Sequence, residues 1–381
     1  MEKFSVKTIN NTNIEKELEI IGFDNSYKKV VKNKFEYLNI KIYDLTIPQA
    51  NILKQTALSN GTDCAVNRNV LTNSVDKTDC ILTGSAAQLK NIAKSLKIQP
   101  FGLKELSDKI ENIILLKNKP SRTKLVGILN ITENSFSDGG KYLDKEKAIE
   151  HLHQLINDGA DIIDIGAEST KPYSEAVSSE IQLERLLPIL NYINSNNITT
   201  PISIDTRNSE VAKECLMKGV SIINDVSGFD YDEKMVDIIK NSTSKIIIQH
   251  SKGTPETMQD NPEYENIIDE IYKALETKIN FAQNNGIDKS RIIIDIGIGF
   301  GKKRKDNFEL LRRVEDFKSL ECEIMIGISR KSFLNLDDNL EKDIYSTALS
   351  ALLVEKKVDY LRVHNVKMHK KLLELMEIYG E

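Results

Sequence analysis

The 381 residues include only four cysteines, Cys64, Cys80, Cys215 and Cys322, which are far apart and never form a CxxC. That spacing suggests neither a zinc ribbon nor a redox dithiol, and scattered thiols suit a reducing cytoplasm. No uninterrupted apolar run approaches a membrane span, and the opening stretch MEKFSVKTINNTNIEKELEI has no apolar h-region. A cytoplasmic protein with no membrane partner is expected. Positive charge is not in excess: 52 Lys and Arg stand against 57 Asp and Glu, a net charge of -5. This argues against a nucleic-acid partner held by bulk charge, though not against a local basic pocket. A Gly-rich first turn of the dinucleotide-binding kind is also missing. His151, His153 and His369 fall in helical stretches at no consistent spacing, so ligation is not suggested. With 40% hydrophobic and 29% charged residues, the chain has the composition of a soluble protein with a sizeable core and one to three domains.

Residues 1–120 read as a small α+β domain. Tyr37–Tyr43 alternates like a strand, Ile47–Ser59 has helical character with Pro48 in its first turn, and Asn60-Gly61 is a stop. Asp63–Val66 and Cys80–Thr83 are candidate strands. A second helix is expected over Ser85–Leu96 with Ser85 as its cap, and a third over Leu103–Lys117. No His cluster or phosphate loop occurs here. An accessory domain without chemistry is the plainer expectation, and a regulatory or oligomerising module is the alternative. Lys117–Thr123, polar and holding Pro120, reads as the linker.

From Leu125 the pattern changes to short apolar strands alternating with amphipathic helices, the signature of parallel βαβ units. Eight strands are expected, at Leu125–Leu129, Ile162–Ile165, Ile202–Asp205, Ser221–Asn224, Lys245–Gln249, Ile292–Asp295, Glu323–Ile328 and Tyr360–Val363, each followed by a helical segment. Eight units within residues 121–381 are what a (β/α)8 TIM barrel of about 250 residues needs. A doubly wound open sheet is the competitor, and it would more usually carry fewer units.

A barrel places its reactive groups where strands end. Polar residues fall there one after another: Asn130, the run Gly166–Pro172, Asp205, Asn224, His250, Asp295 before Gly297–Lys302, Ser329-Arg330-Lys331, and Arg362 with His364. Each has a bland reading, such as a helix cap or a tight turn. Together they are too many polar groups for one mouth unless a ligand satisfies them. Ser329, Arg330, Lys331, Arg362 and His364 follow strands 7 and 8, the usual anion site of this barrel, which suggests phosphate or diphosphate. Asp205, Asn224 and Asp295 suit a heterocycle rich in N–H donors and would stabilise positive charge developing on it. Asn130 offers an oxygen to magnesium otherwise held by water and substrate phosphates. The residues alone therefore predict an enzyme for a phosphorylated nitrogen heterocycle and leave its reaction open.

NITENSFSDGG (130–140), DIIDIGAESTKP (161–172), ISIDT (202–206), IINDV (222–226), HSKGTPETMQDNPEY (250–264), DIGIGFGK (295–302), GISRKSF (327–333) and RVHNV (362–366) resemble the motifs of the dihydropteroate synthase family, in its order. The resemblance covers about 121–381. It implies condensation of 6-hydroxymethyl-7,8-dihydropterin diphosphate with 4-aminobenzoate to 7,8-dihydropteroate and pyrophosphate, in folate biosynthesis. It also implies a sulfonamide target, a magnesium ion and a homodimer built through barrel helices. On matching positions it implies that Asn130 binds the metal, that Asp205, Asn224, Asp295 and Lys331 recognise the pterin, and that Phe300 and Gly327 line its slot. Arg362 and His364 would hold the diphosphate and Thr170 would sit where the substrates meet. Phe136, Asp138, Lys171 and Pro172 would close over 4-aminobenzoate, with Ser329 at its carboxylate. The chain departs from the family pattern at Glu133-Asn134, Ala167, Lys171 and Ile296, and lysine cannot reproduce a bidentate arginine clamp. A methyltransferase using a methyl-tetrahydropterin shares the barrel and the Asp-Asn-Asp slot but would not need the anion site. A non-catalytic pterin-binding paralogue is the third reading.

Overall fold

The computed structural model describes residues 4–9, 14–116, 122–131, 141–168, 177–253 and 262–380. The chain divides into two compact units, Met1–Lys119 and Pro120–Glu381.

The first unit runs α1 (Ile14–Ile20), α2 (Lys28–Phe35), β1 (Tyr37–Thr46), α3 (Ile47–Ser59), β2 (Cys64–Val66), β3 (Lys77–Ser85), α4 (Ala86–Leu96) and α5 (Leu103–Leu116). Its sheet is antiparallel in the order β1-β3-β2. Two strands run straight into helices through capping boxes, Thr46 with Gln49 and Ser85 with Gln88, so each turn satisfies its own exposed amides. Buried Leu53, Leu82, Leu89, Ile92 and Leu96 fill the core between sheet and helices. Helices α1 and α2 were not anticipated. Strand β1 is longer than its alternation suggests, because the register shifts between Ile42 and Leu45, where Asp44 adopts φ 57°.

The second unit is β4 (Lys124–Asn130), α6 (Lys141–Asn157), β5 (Ile162–Gly166), α7 (Ser179–Ser195), β6 (Ile202–Asp205), α8 (Ser209–Met217), β7 (Ile222–Asp225), α9 (Met235–Lys240), β8 (Lys245–Gln249), α10 (Ile267–Asn284), β9 (Ile292–Asp295), α11 (Arg304–Arg312), β10 (Glu323–Ile326), α12 (Asn339–Glu355), β11 (Tyr360–Val363) and α13 (Val366–Gly380). The eight strands close into a parallel barrel, with β11 pairing β4. The expected (β/α)8 barrel is therefore the fold. Four strands differ in their bounds: β4 is one residue longer at each end than expected, β5 runs one residue further to Gly166, β7 begins and ends one residue later, and β10 stops at Ile326 instead of Ile328.

Alternation along the strands sorts the barrel into layers. Val126, Ile162, Ile222, Ile247, Ile293, Met325 and Tyr360 pack together as one buried cluster. Two residues further along stand Ile128, Asp164, Asn224, Gln249, Asp295, Gly327 just past the end of β10, and Arg362, a layer that is polar at most of its positions. An apolar layer thus plugs the barrel beneath a polar one, and the polar layer lies toward the carboxyl ends of the strands. Among the described residues no helix is long and apolar enough to cross a membrane.

Candidate active site

The register brings the polar layer together. Asp205 on β6 lies opposite Asn224 on β7, Gln249 on β8 lies opposite Asp295 on β9, and Gly166 lies between Asn130 and Asp205. At the centre is Arg362 on β11. Its Nε donates to Asp164 Oδ2 at 2.6 Å and its Nη2 donates to Asp205 Oδ2 at 2.7 Å. Asn224 Nδ2 donates to the same Asp164 oxygen at 3.2 Å. Four buried side-chain atoms have no partner among the described residues: Asp164 Oδ1, Ser203 Oγ, Asp205 Oδ1 and Asn224 Oδ1. Buried polar atoms are nearly always paired, so this concentration at one place marks a binding slot.

Burial shapes the titration of the slot. It pushes Asp205 up to about 7 against the pull of Arg362, and it raises Asp295 against the pull of Lys331. Burial works against the charge on Arg362 too, but Asp164 and Asp205 more than offset it and hold the guanidinium protonated. Lys331 is pulled down to about 8 by burial of its ammonium. That ammonium donates to the carbonyl of Ile298 and sits 4.6 Å from the centre of the Phe300 ring. Gly327 lies beneath both cations: a Cβ there would be 3.6 Å from Arg362 Cβ and 3.9 Å from Lys331 Nζ.

The loop after β9 is built around these groups. Gly297 N donates to Asp295 Oδ1 at 2.7 Å and Phe300 N donates to Gly297 O at 3.1 Å. Buried Lys302 donates to Phe300 O at 2.8 Å and lies 3.1 Å from His250 Nδ1. Burial drives both members of that pair toward neutrality, His250 to about 2 and Lys302 well below its ordinary value. Lys302 therefore fastens the loop after β9 to the end of β8.

Of the residues singled out in the sequence, Asp205, Asn224, Asp295, Phe300, Gly327, Lys331 and Arg362 come together here. Asn130 ends β4 at the rim, half-buried. Three differ from expectation. Arg330 turns away from the rim at φ 57° and forms a bidentate pair with Asp343 at 2.9 and 2.8 Å, so it is not part of an anion site. Arg362 spends two donors on carboxylates at the heterocycle side. Ser329 faces His364: its Oγ accepts from His364 N at 3.1 Å and lies 3.0 Å from His364 Nδ1. Phe136, Asp138, Thr170, Lys171 and Pro172, with the departures at Glu133 and Asn134, lie outside the described residues. Just before that second segment, buried Glu168 accepts from Arg207 Nη2 at 3.0 Å and from Val177 N at 3.3 Å.

Asp164 and Ser203 were missed. The signal was available: Asp164 is a charged residue inside the apolar run IIDIG, two positions beyond inward-facing Ile162, and period two turns it into the barrel.

Residues 126–364 match the family described as pterin binding enzyme. A dihydropteroate synthase of Clostridium beijerinckii is 37% identical over 265 residues, covering 68% of this chain and 96% of that one. A bifunctional dihydropteroate synthase/dihydropteroate reductase of Helicobacter pylori is 31% identical over 381 residues, covering 99% of both chains. A probable bifunctional folylpolyglutamate synthase/dihydropteroate synthase of Halobacterium salinarum is 34% identical, but the alignment spans 84% of this chain and only 40% of that one. Among solved structures, the dihydropteroate synthase of Anaplasma phagocytophilum with bound 6-hydroxymethylpterin-monophosphate superposes with a TM-score of 0.62 at 34% identity, covering 68% of this chain and 99% of that one.

Proposed function

Because the chain belongs to the dihydropteroate synthases of the pterin binding enzyme family, we propose that its barrel joins 6-hydroxymethyl-7,8-dihydropterin diphosphate to 4-aminobenzoate by losing diphosphate first and adding the arylamine second. The observation that carries this order is the electrostatics of the slot. Asp164, Asp205 and Asp295 gather around one guanidinium and one ammonium, with three carboxylate and amide oxygens left unpaired. Such a wall binds the N–H edge of a dihydropterin and stabilises the positive charge that delocalises into the ring as the C–O bond to diphosphate breaks. The described residues of the slot offer no paired nucleophile and base, which an arylamine attacking a ready-made cation does not require.

The leaving group would be held at the rim. Arg362 keeps Nη1, the nitrogen that neither carboxylate engages, for a diphosphate oxygen. His364, oriented by Ser329, supplies a second donor. Ser329 thus supports the reading as a residue that positions His364, and contact with the acceptor's carboxylate is the weaker assignment. Lys331 and Phe300 form one wall of the ring slot.

The residues fit magnesium in a limited way. Among the described residues no group of three or more His, Cys, Asp or Glu gathers for a metal. Asn130, however, ends β4 beside Gly166, where the absence of a side chain leaves room next to its Oδ1. One protein oxygen plus substrate phosphates and water is a donor set that suits this ion. Bound there, magnesium would neutralise charge on the diphosphate. Asn130→Ala should then weaken magnesium-dependent binding of the pterin diphosphate, and an unchanged metal dependence removes the assignment.

Incubation with the pterin diphosphate, 4-aminobenzoate and magnesium tests the reaction. Pyrophosphate and 7,8-dihydropteroate should form together, and their absence would sink it.

A second activity rests on a separate observation. The alignment with the bifunctional Helicobacter pylori protein spans 99% of this chain and so takes in nearly all of the first unit, whereas the alignment with the Clostridium synthase spans 68% of the chain. We propose that the first unit equips this chain for dihydropteroate reduction. The step adds two electrons and two protons to 7,8-dihydropteroate and needs an outside donor such as a reduced flavin or nicotinamide. Full-length protein with each donor should yield tetrahydropteroate. Protein lacking residues 1–119 should lose that product and still release pyrophosphate.

A homodimer and a cytoplasmic setting complete the proposal. Leu340, Ile344, Tyr345 and Leu352 are exposed along α12, an apolar stripe of the kind a second copy covers. None of the four cysteines is in a disulfide, which suits reducing surroundings.

A further inference from the structure

Asp164 sits in the middle of β5, fully buried, and its Oδ2 accepts from Arg362 Nε at 2.6 Å and Asn224 Nδ2 at 3.2 Å. The second bond decides the polarity of the slot. An asparagine can present either a carbonyl or an NH2 group, whereas a carboxylate only accepts. Next to Asp164 the Asn224 NH2 must therefore point at the carboxylate, which leaves Asn224 Oδ1 as the atom on offer. That oxygen is buried without a partner among the described residues, as are Asp164 Oδ1 and Asp205 Oδ1. Arg362 adds to the effect, since its Nε and Nη2 are both taken by carboxylates. The fourth unpartnered atom, Ser203 Oγ, is a hydroxyl and serves either way. A wall of unpaired acceptors binds a row of N–H groups and rejects a row of oxygens, because two acceptors set face to face leave both unsatisfied.

We propose that Asp164 is a specificity-determining positioning residue, which locks the Asn224 amide and the Arg362 guanidinium so that the slot presents acceptors and thereby selects a 2-amino pteridine over its 2-oxo analogue. The inference rests on the pterin reading above. Asp164→Asn tests it with almost no change of volume. Arg362 Nε and Asn224 Nδ2 both donate to the Oδ2 position, so the new amide keeps its oxygen there and puts its NH2 in place of Oδ1, an N–H among the acceptors.

Calorimetric titration with 6-hydroxymethylpterin and with its 2,4-dioxo analogue reads the selectivity. The wild type should prefer the 2-amino ligand by about a hundredfold or more, as expected of a site built to pair N–H groups. In Asp164→Asn that ratio should fall at least about tenfold, the size of one lost buried hydrogen bond. Asp164→Glu keeps an acceptor-only carboxylate on β5 and should hold the ratio even where both affinities fall. A purely structural role predicts equal weakening of both ligands in Asp164→Asn with the ratio unchanged, and that result overturns the proposal. Should Asp164→Asn fail to fold, Asp164→Glu decides alone: selectivity retained supports the proposal, and selectivity lost in a folded protein overturns it. If the wild type binds neither pteridine, the pterin reading fails and this inference with it, a result distinct from an unchanged ratio.

Discussion

Arg362 carries one positive charge and faces two buried carboxylates, Asp164 and Asp205, so the ligand-free slot gains by holding a proton. The pressure falls on Asp205, which burial raises from 3.8 to about 7 against the pull of Arg362, with Asp164, Glu168 and Asp225 adding repulsion. Between those two values the folded chain keeps a proton that the unfolded chain has released. This contribution to stability is complete below the ordinary carboxylate value and is lost as pH rises through about 7. Asp205→Asn cannot titrate. Its thermal midpoint, measured against the ligand-free wild type, should therefore move up relative to wild type as pH goes from 4 to 8. A difference that stays constant with pH would show that Asp205 does not carry the proton. Bound pterin would draw the same carboxylate toward its charged form by supplying N–H donors, so ligand affinity and proton release are linked at this residue.

The loop between β9 and α11 is an element whose shape the site cannot do without. Gly297 has φ 68°, in the left-handed region, and a Cβ there would lie 1.8 Å from the carbonyl oxygen of His250. The same residue donates its N–H to Asp295, so the close approach of two backbones is what aims that carboxylate. Lys302 then holds the far side of the loop through Phe300 O. Gly297→Ala must move either the loop or the β8 end. It should cost at least about 2 kcal/mol in denaturant unfolding, the scale of a forced backbone conformation plus a clash. It should also lower pterin affinity. Normal stability with normal affinity would mean that the loop tolerates a second arrangement.

At the scale of the whole molecule, the closed barrel has no sheet edges, so a second copy meeting the barrel wall would meet helices. The apolar stripe of α12 borders a hollow lined by Arg304, Phe308, Leu334, Ala348 and Leu349, which adds shape to the exposed Ile344 and Tyr345. In the proposed dimer, Tyr345→Glu would bury a charge at that face and should shift sedimentation from a dimer to a monomer. The synthase site lies within a single barrel, so the monomer should keep pterin binding. A variant that remains dimeric would move the interface to another face.

The sequence by itself determined the architecture and most of the slot. Eight apolar strands at helical spacing admit little besides a barrel, and period two already turns Asp205, Asn224, Asp295 and Arg362 into its interior. It also located Ser85 as a cap and Ile47–Ser59 as a helix, because those signals are local. Tertiary structure alone decided which charges meet. Arg330 and Lys331 are neighbours in the chain, yet a left-handed φ sends one to buried Asp343 on α12 and leaves the other over Phe300. Arg362 and Asp164 are 198 positions apart, and only the register of a closed barrel brings them to 2.6 Å. Strand periodicity fixes the face on which a side chain lies. Its partner across the barrel is fixed by closure, a long-range constraint with no local trace, and so Asp164 passed as one more residue of a strand.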